Sequence, residues 1–328
     1  MKKLQLTIAC IAFGLFAWAI SRASLESIAV QLKAITVALP IVIALSLLRL
    51  FLQSTTWEAS LQGERVAVRR RALYGVRLAS QSMGYLTVLG PVISEPMKIK
   101  LLESPTEPTV TATLLDTGVY WLTSALVAML GIVCLAVVTA HGSACRWAPA
   151  ALALALSVFA ITRRSPLLAW VVRAFGDRAP SWLSRAHSFE ASIRSYRLRQ
   201  PALVRRMFWI DLTCQTLIVL EAVVVLWSLH LPVHFLTVMA IEGVTRALKM
   251  ASGWVPARVG VDEGGAIAAF SIVGYSPMLG LSLALTRRVR DLLWALTGIV
   301  WLAWNSRHSR PRASLQLAPS ADVLEGGS

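Results

Sequence analysis

The stretch VPARVGVDEGG, residues 255–265, decides how this chain folds. It lies inside an apolar region, residues 234–274, but Pro256 and several glycines interrupt any continuous helix through it. Backbone groups freed from helical hydrogen bonding cannot face lipid, so such a break occurs only where protein or water satisfies them. The sequence therefore predicts a buried, hydrated break that contains Glu263, with Arg258 nearby.

The composition of the whole chain indicates a membrane protein. Of 328 residues, 56% are hydrophobic and 15% are charged, whereas soluble domains have ~45–50% apolar and ~25% charged residues. A secreted disulfide module, a disordered regulator and an ordinary cytosolic enzyme are excluded. The net charge of +15 clusters between apolar stretches and no nucleic-acid motif is present, so we expect no nucleic-acid partner. The four scattered cysteines form no C-x-x-C pair, and no metal or other cofactor is expected.

Apolar stretches long enough to cross a bilayer recur along the chain. The first resembles a signal peptide, but it continues to Ile20 without a convincing cleavage site, so we interpret it as a retained helix. Two further regions, 72–101 and 234–274, are apolar but interrupted by glycine, proline and charge. The six candidate full spans are residues 3–20, 36–53, 109–140, 147–162, 206–229 and 276–304.

Lysines and arginines set the expected orientation, because they concentrate in cytoplasmic loops. Lys2 and Lys3 place the N-terminus inside, and the segment 162–206 holds ten arginines against two acidic residues. Three arginines after Trp304 place the C-terminus inside as well. We therefore expect a multi-pass protein of the bacterial inner membrane with both termini in the cytoplasm.

The sides of the membrane assigned to the loops are consistent only if each interrupted region enters the membrane and returns to the side that it left. The first would enter from the cytoplasm and the second from the periplasm. Two halves of opposite orientation are a common plan of transporters. An internal echo supports the idea, because Gly90 precedes Glu95 in LGPVISEPMK as Pro256 precedes Glu263 in the second half. The predicted fold is an all-α, polytopic integral membrane protein with about six full spans and two re-entrant helical hairpins in inverted halves.

The predicted organisation has four parts. They are an N-terminal membrane half, 1–162, with the re-entrant segment 72–101; a basic cytoplasmic loop, 163–205; a C-terminal membrane half, 206–304, with the re-entrant segment 234–274; and a cytoplasmic, disordered tail, 305–328.

Many charged residues fall within or beside the apolar stretches. A charge near the bilayer centre costs roughly 2.5–3.5 kcal/mol, so these groups must face a polar cavity or pair with each other. Glu242 and Arg246 stand at i,i+4 on a helical stretch, as do Arg287 and Asp291, and each couple is expected to pair. Such pairs could simply lock helices together.

The arginines of the second half are expected to line a basic cavity within the membrane. Guanidinium groups bind phosphate bidentately, so the cavity suits an anionic headgroup whose acyl tails remain in lipid. Chloride, or pairing with local carboxylates, would suit it too. Asp262 and Glu263 would also cap a helix that begins beside them. The predicted substrate-binding residues are Glu95, Lys98, Asp116, Arg246, Arg258, Asp262, Glu263, Arg287, Arg288 and Arg290.

The stretch from Ala247 to Trp304, with VPARVGVDEGG followed by LTRRVRDLLW, resembles the transmembrane flippase-like domain of the lysylphosphatidylglycerol synthase family. The shared pattern is a P-x-x-x-G-x-x-E-G break and then an arginine-bearing helix, with details most similar to the branch associated with hopanoid biosynthesis. In the first half Glu95 and Lys98 match the family's G-x-x-G-E-x-x-R, while Ser94 replaces the glycine. The resemblance implies a flippase-like inner-membrane protein with two inverted halves around a lipid cavity.

Three functions compete. The first is movement or binding of an amphipathic lipid, anionic or hopanoid-type, without ATP coupling because no Walker-type loop is present. The second is an intramembrane lipid-modifying enzyme, but no nucleophile or metalloprotease motif supports it and we expect no enzyme. The third is a non-transporting scaffold for lipid-biosynthesis enzymes, with 162–206 as the docking surface. The expected partner is a membrane lipid, and lipid-biosynthesis enzymes are the further candidates.

Overall fold

The computed structural model describes residues 25–66, 68–87, 90–102, 106–139, 195–196, 198–251, 258 and 260–308. Within these ranges the chain forms eight helices and no strand, which confirms the predicted all-α class. The predicted spans 3–20 and 147–162, most of the loop 163–205 and the tail beyond residue 308 lie outside the described residues. The helices are α1 (Leu25–Gly63), α2 (Arg70–Leu86), α3 (Gly90–Leu101), α4 (Glu107–Thr139), α5 (Pro201–Ser228), α6 (Phe235–Ala251), α7 (Val261–Ile272) and α8 (Pro277–His308).

Three helices of the described chain are long and apolar enough to cross a membrane. They are the part of α1 from Thr36 to Gly63, all of α4 and all of α5, with mean hydropathies of 2.0, 2.4 and 1.8 in their most apolar stretches. Helix α8 has 32 residues and so has the length of a span, as predicted for 276–304. Its sequence RRVRD, residues 287–291, makes it much more polar than the other three.

Each of the two interrupted regions forms a pair of short helices. The first region contains α2, with 17 residues, and α3, with 12; the second contains α6, with 17, and α7, with 12. None reaches the ~20 residues that a straight crossing requires. The predicted break separates α6 from α7, and Gly260 precedes α7 with a φ of 80°, a left-handed conformation that favours glycine.

The eight helices form two sets of four, α1–α4 and α5–α8, with matching lengths and partners. The first set has helices of 39, 17, 12 and 33 residues, and the second has helices of 28, 17, 12 and 32. Contacts between the sets are reciprocal, because α2 packs on α8 as α6 packs on α4, and α1 packs on α5. The chain therefore contains an internal structural repeat, while inversion of the two sets across a membrane stays a prediction.

Glycines allow the short helices to approach the long helices of the opposite set. Gly131 of α4 meets Gly243 of α6 backbone to backbone, and a Cβ on either would overlap main-chain atoms of the other. At the reciprocal contact, Gly298 of α8 lies against the carbonyl of Leu78 and the hydroxyl of Ser82 on α2. Small residues at such crossings let membrane helices pack closely.

Candidate functional site

A cavity of about 370 Å³ lies between the two sets of helices, and charged side chains from both sets line it. Eight arginines and lysines face four carboxylates, so the lining carries a net positive charge. The charged lining residues are Arg49, Arg77, Glu95, Lys98, Asp116, Glu242, Arg246, Lys249, Arg258, Arg287, Arg290 and Asp291.

In the first set, a buried ion pair links the second helix to the fourth. Arg77 of α2 lies 3.2 Å from Asp116 of α4, measured from Nη1 to Oδ2, and it also donates to the backbone carbonyl of Gln53 on α1. Asp116 accepts a further hydrogen bond of 2.8 Å from the hydroxyl of Thr56. Both charges are almost fully buried, so each depends on the other for compensation.

A second ion pair of the first set lies on α3. Lys98 Nζ contacts Glu95 at 2.8 Å, and Glu95 also accepts a 2.7 Å hydrogen bond from the hydroxyl of Thr117 on α4. The Lys98 ammonium also lies 5.7 Å from the ring centroid of Trp57, within the range of a cation–π contact. These contacts fix α3 against α1 and α4.

In the second set, Glu242 of α6 holds two arginines. Arg287 of α8 pairs with Glu242 and donates to the backbone carbonyl of Ile218 on α5 at 3.2 Å. Arg246 lies 3.5 Å from Glu242, which confirms the predicted i,i+4 pair. Arg246 also donates to the side chain and the backbone carbonyl of Gln215. Glu242 of α6 therefore binds α8 directly through Arg287, and Arg287 in turn contacts α5.

The pairs Arg77–Asp116 and Glu242–Arg287 occupy equivalent places in the repeat with opposite polarity. Arg77 and Glu242 are each the eighth residue of their short helix, and Asp116 and Arg287 are the tenth and eleventh residues of their long helix. The backbone carbonyls that the two arginines contact on α1 and α5 each lie ten residues before the helix end. The arginine is therefore on the short helix in one set and on the long helix in the other.

The predicted pair of Arg287 with Asp291 is wrong. Arg290 takes Asp291 instead, at 2.7 Å, and also pairs with Glu221 of α5. Arg287 contacts Glu242 instead, which is 1% exposed, and a buried carboxylate is stabilised by nearby cations.

Three of the predicted site residues do not line the cavity. Glu263 is buried, accepts a 2.8 Å hydrogen bond from the N–H of Gly260 and pairs with Arg288 at 2.8 Å. It therefore caps α7, as its position beside a helix start predicts. Asp262 pairs with Arg258 at 3.3 Å. Arg258 lines the cavity, whereas Asp262, Glu263 and Arg288 do not.

The cavity thus brings together seven of the ten predicted residues and adds residues outside that set. Arg49, Arg77, Lys249 and Asp291 also line it. The sequence signal for Arg49 was a single arginine inside an apolar span. A charge at such a position costs free energy unless a polar group or cavity compensates it. The residues that were predicted and line the cavity are Glu95, Lys98, Asp116, Arg246, Arg258, Arg287 and Arg290.

Arg49 enters the cavity from α1, near the middle of the span from Thr36 to Gly63. Ser46 and Gln53 lie about one turn to either side on the same helix face and also line the cavity. No salt bridge formed by the described residues includes Arg49. An uncompensated charge at this depth costs roughly 2.5–3.5 kcal/mol on insertion scales.

At the C-terminal end of α1, polar contacts join this helix to the segment that precedes α5. The hydroxyl of Tyr196 donates to the carbonyl of Ser60 at 3.1 Å, and the Gln200 amide donates to the carbonyl of Gly63 at 2.9 Å. Burial raises the pKa of Tyr196 to about 12, so its phenol stays protonated and keeps donating at neutral pH. These contacts hold the segment before α5 against the last turn of α1.

The fold and the cavity define a helical membrane protein with a polar site between two repeated sets of helices. The chain belongs to the family described as the lysylphosphatidylglycerol synthase TM region, whose model matches residues 4–299 and so spans both sets. The family and the apolar helices place the protein in a membrane and link it with membrane lipids. The hopanoid branch stays a prediction. No curated protein and no solved structure matches the chain.

Proposed function

We propose that the protein binds an amphipathic lipid by its headgroup in the basic cavity and moves it between the two leaflets. One observation carries the proposal: eight arginines and lysines line the cavity against four carboxylates, so a net positive charge lies among apolar helices. A charge at that depth is costly unless a polar or oppositely charged group compensates it, and a lipid headgroup that enters the cavity would do so.

The helix arrangement supports transport rather than binding alone. The four short helices cannot cross a bilayer singly, and we propose that α2–α3 dips in from the cytoplasm and α6–α7 from the periplasm of the bacterial inner membrane. Re-entrant segments are tolerated where they line a polar cavity, and the cavity lies between them. An inverted repeat provides two equivalent arrangements, one open to each side, with a fixed site between them.

We also propose that the protein is not an enzyme. Each of the four carboxylates that line the cavity is held in an ion pair: Glu95 with Lys98, Asp116 with Arg77, Glu242 with two arginines, and Asp291 with Arg290. A carboxylate whose oxygens are committed to an ion pair is poorly placed to exchange a proton with a substrate. Incubation with radiolabelled membrane lipid should therefore yield no new product. A product that requires Glu242 would support the intramembrane enzyme instead.

Transbilayer movement can be measured in liposomes. The purified protein is placed in phosphatidylcholine vesicles with trace fluorescent phosphatidylglycerol or fluorescent glucosyl lipid, and the outer leaflet is bleached with dithionite. We expect the bleached fraction to exceed the half found in empty vesicles. Arg287→Gln should slow the movement by about tenfold, whereas Arg206→Gln, on an exposed arginine of α5, should not. Equal bleaching in protein-containing and empty vesicles, for both headgroups, would contradict the proposal.

A further inference from the structure

We propose that Arg49 contacts a phosphate group of the bound lipid, so that the cavity selects an anionic headgroup over an uncharged one. The inference rests on the proposed function, because it assumes that a lipid headgroup enters the cavity. It goes further by naming the charge of that headgroup and a residue of α1 that binds it. The shared chemistry is a phosphate oxyanion, either on a lipid or free in solution.

The position of Arg49 is fixed by its neighbours on α1. Ser46, on the same helix face, accepts a 2.8 Å hydrogen bond from the indole N–H of Trp294 on α8. The backbone carbonyl of Gln53, on the other side of Arg49, accepts from Arg77 of α2. The helix face that presents Arg49 is therefore held to both α2 and α8, and this places Arg49 at the cavity.

Among the arginines that line the cavity, Arg49 is the one without a carboxylate partner in the described part of the chain. The other arginines of the lining each pair with at least one carboxylate in the described part of the chain. Arg49 pairs with none there, and it is close enough to Arg246 for the two positive charges to repel. A bound anion would compensate Arg49 and reduce that repulsion, whereas an uncharged headgroup would do neither.

Size and chemistry agree with a phosphate headgroup. A volume of about 370 Å³ is near the lower end for ligand pockets, so the cavity takes a headgroup while the acyl chains stay in the bilayer. A guanidinium offers planar, paired N–H donors that match two phosphate oxygens. Lysine would keep the charge at this position but lose the paired geometry, and glutamine would lose both.

Equilibrium binding to the full-length protein in neutral detergent tests the inference. The ligands are dihexanoylphosphatidylglycerol, a glucosyl dihexanoylglycerol with an uncharged headgroup, and inorganic phosphate. We expect the wild type to prefer the phosphatidylglycerol, and Arg49→Gln to weaken its binding by about tenfold, with Arg49→Lys in between. Arg206→Gln removes the same group from an exposed site of α5 and should leave the dissociation constant within about twofold.

Thermal midpoints provide a second readout that a merely structural arginine would not give. Because Arg49→Gln removes an uncompensated charge from the middle of a span, the ligand-free midpoint should stay equal or rise. The increase on adding dihexanoylphosphatidylglycerol should disappear. A lower ligand-free midpoint would show that Arg49 stabilises the fold, and it would overturn the inference.

Other outcomes also decide the matter. Equal affinity of the wild type for the charged and the glucosyl lipid would overturn the selectivity, and wild-type affinity in Arg49→Gln would overturn the role of Arg49. Binding of inorganic phosphate without binding of the short-chain lipid would assign the site to a free anion.

If the lipid binds through Arg49 but the liposome assay detects no movement, the anion site stands and the transport proposal fails. Movement that Arg49→Gln does not change would leave transport standing and remove the anion site.

Discussion

At the scale of single residues, the cavity is built from charges whose partners lie on other helices. The sequence predicted the pair Glu242–Arg246 and the cap formed by Glu263, because both are local: one is an i,i+4 spacing and the other a helix start. It could not predict that Arg287 pairs with Glu242 or Arg77 with Asp116. Those contacts depend on which helix faces meet, and a helix period alone does not contain that information.

Asp116 provides a direct test of the buried pairs. Asp116→Asn keeps the size of the side chain but removes the charge that compensates Arg77, which is 4% exposed. Loss of one partner from a buried pair should lower the free energy of unfolding by roughly 3–5 kcal/mol, measured by denaturant titration in detergent.

Glu64→Gln is the matched control for Asp116→Asn. Glu64 pairs with Arg199, whose side chain is 63% exposed, so this ion pair is screened by solvent. The control should cost less than about 1 kcal/mol. Equal losses for the two variants would show that the Arg77–Asp116 pair has no special weight in the fold.

At the scale of the elements, sequence patterns located the helices better than they located the contacts between them. Apolar length predicted α4, α5 and α8 to within a few residues, and glycine and proline predicted that the two interrupted regions would each be broken. The echo between the halves was weak, because it compared motifs with unequal spacing. The repeat becomes plain only in helix lengths and reciprocal packing, which residue identities at single positions do not determine.

The opposite polarity of the repeated ion pairs predicts a rescue. Arg77→Asp alone places two carboxylates together and should reduce the yield of folded protein strongly. The double variant Arg77→Asp with Asp116→Arg recreates the polarity of Glu242 and Arg287, with the arginine on the long helix. It should recover at least half of the lost thermal stability, as a double-mutant cycle would show. Losses that simply add would contradict the equivalence of the two sites.

The glycine contact between α4 and α6 predicts a sharp difference between two glycines of one helix. At Gly131 an added Cβ would overlap the backbone of Gly243, which cannot move aside as a side chain can. Gly131→Ala should therefore destabilise the protein by about 1–3 kcal/mol. At Gly118, on the same helix, an added Cβ meets nothing within 4 Å, so Gly118→Ala should be neutral or slightly stabilising in thermal unfolding. Similar effects of both changes would contradict the close contact.

At the scale of the whole molecule, the sequence predicted the class of protein and most of the cavity lining. Charges in an apolar chain must be sheltered, and this requirement alone indicated seven of the residues that line the cavity. The sequence assigned Glu263 both to a helix cap and to the cavity, and it did not predict that Arg288 pairs with Glu263 at the start of α7. A sequence does not tell a cavity from a helix end.

The proposed inversion predicts where connecting segments are reached by a membrane-impermeant thiol reagent. In variants without the native cysteines, cysteine at Arg65 or Thr106, which flank α2–α3, should react only from the cytoplasmic side. Cysteine at Val233 or Ser276, which flank α6–α7, should react only from the periplasmic side. All four positions are exposed. Reaction of positions 233 and 276 from opposite sides would show that α6–α7 crosses the membrane and would contradict the re-entrant arrangement.

The backbone contact of Gly131 with Gly243 also constrains how the cavity could open. With main chain against main chain, α4 and α6 have no side-chain layer on which to slide, and α2 is held similarly against Gly298 of α8. If the proposed transport uses a rocking motion, we expect α4 with α6 and α2 with α8 to move as rigid bodies. Each of these pairs combines a short helix of one set with the long helix of the other, so the moving units would cut across the repeat from which the chain is built.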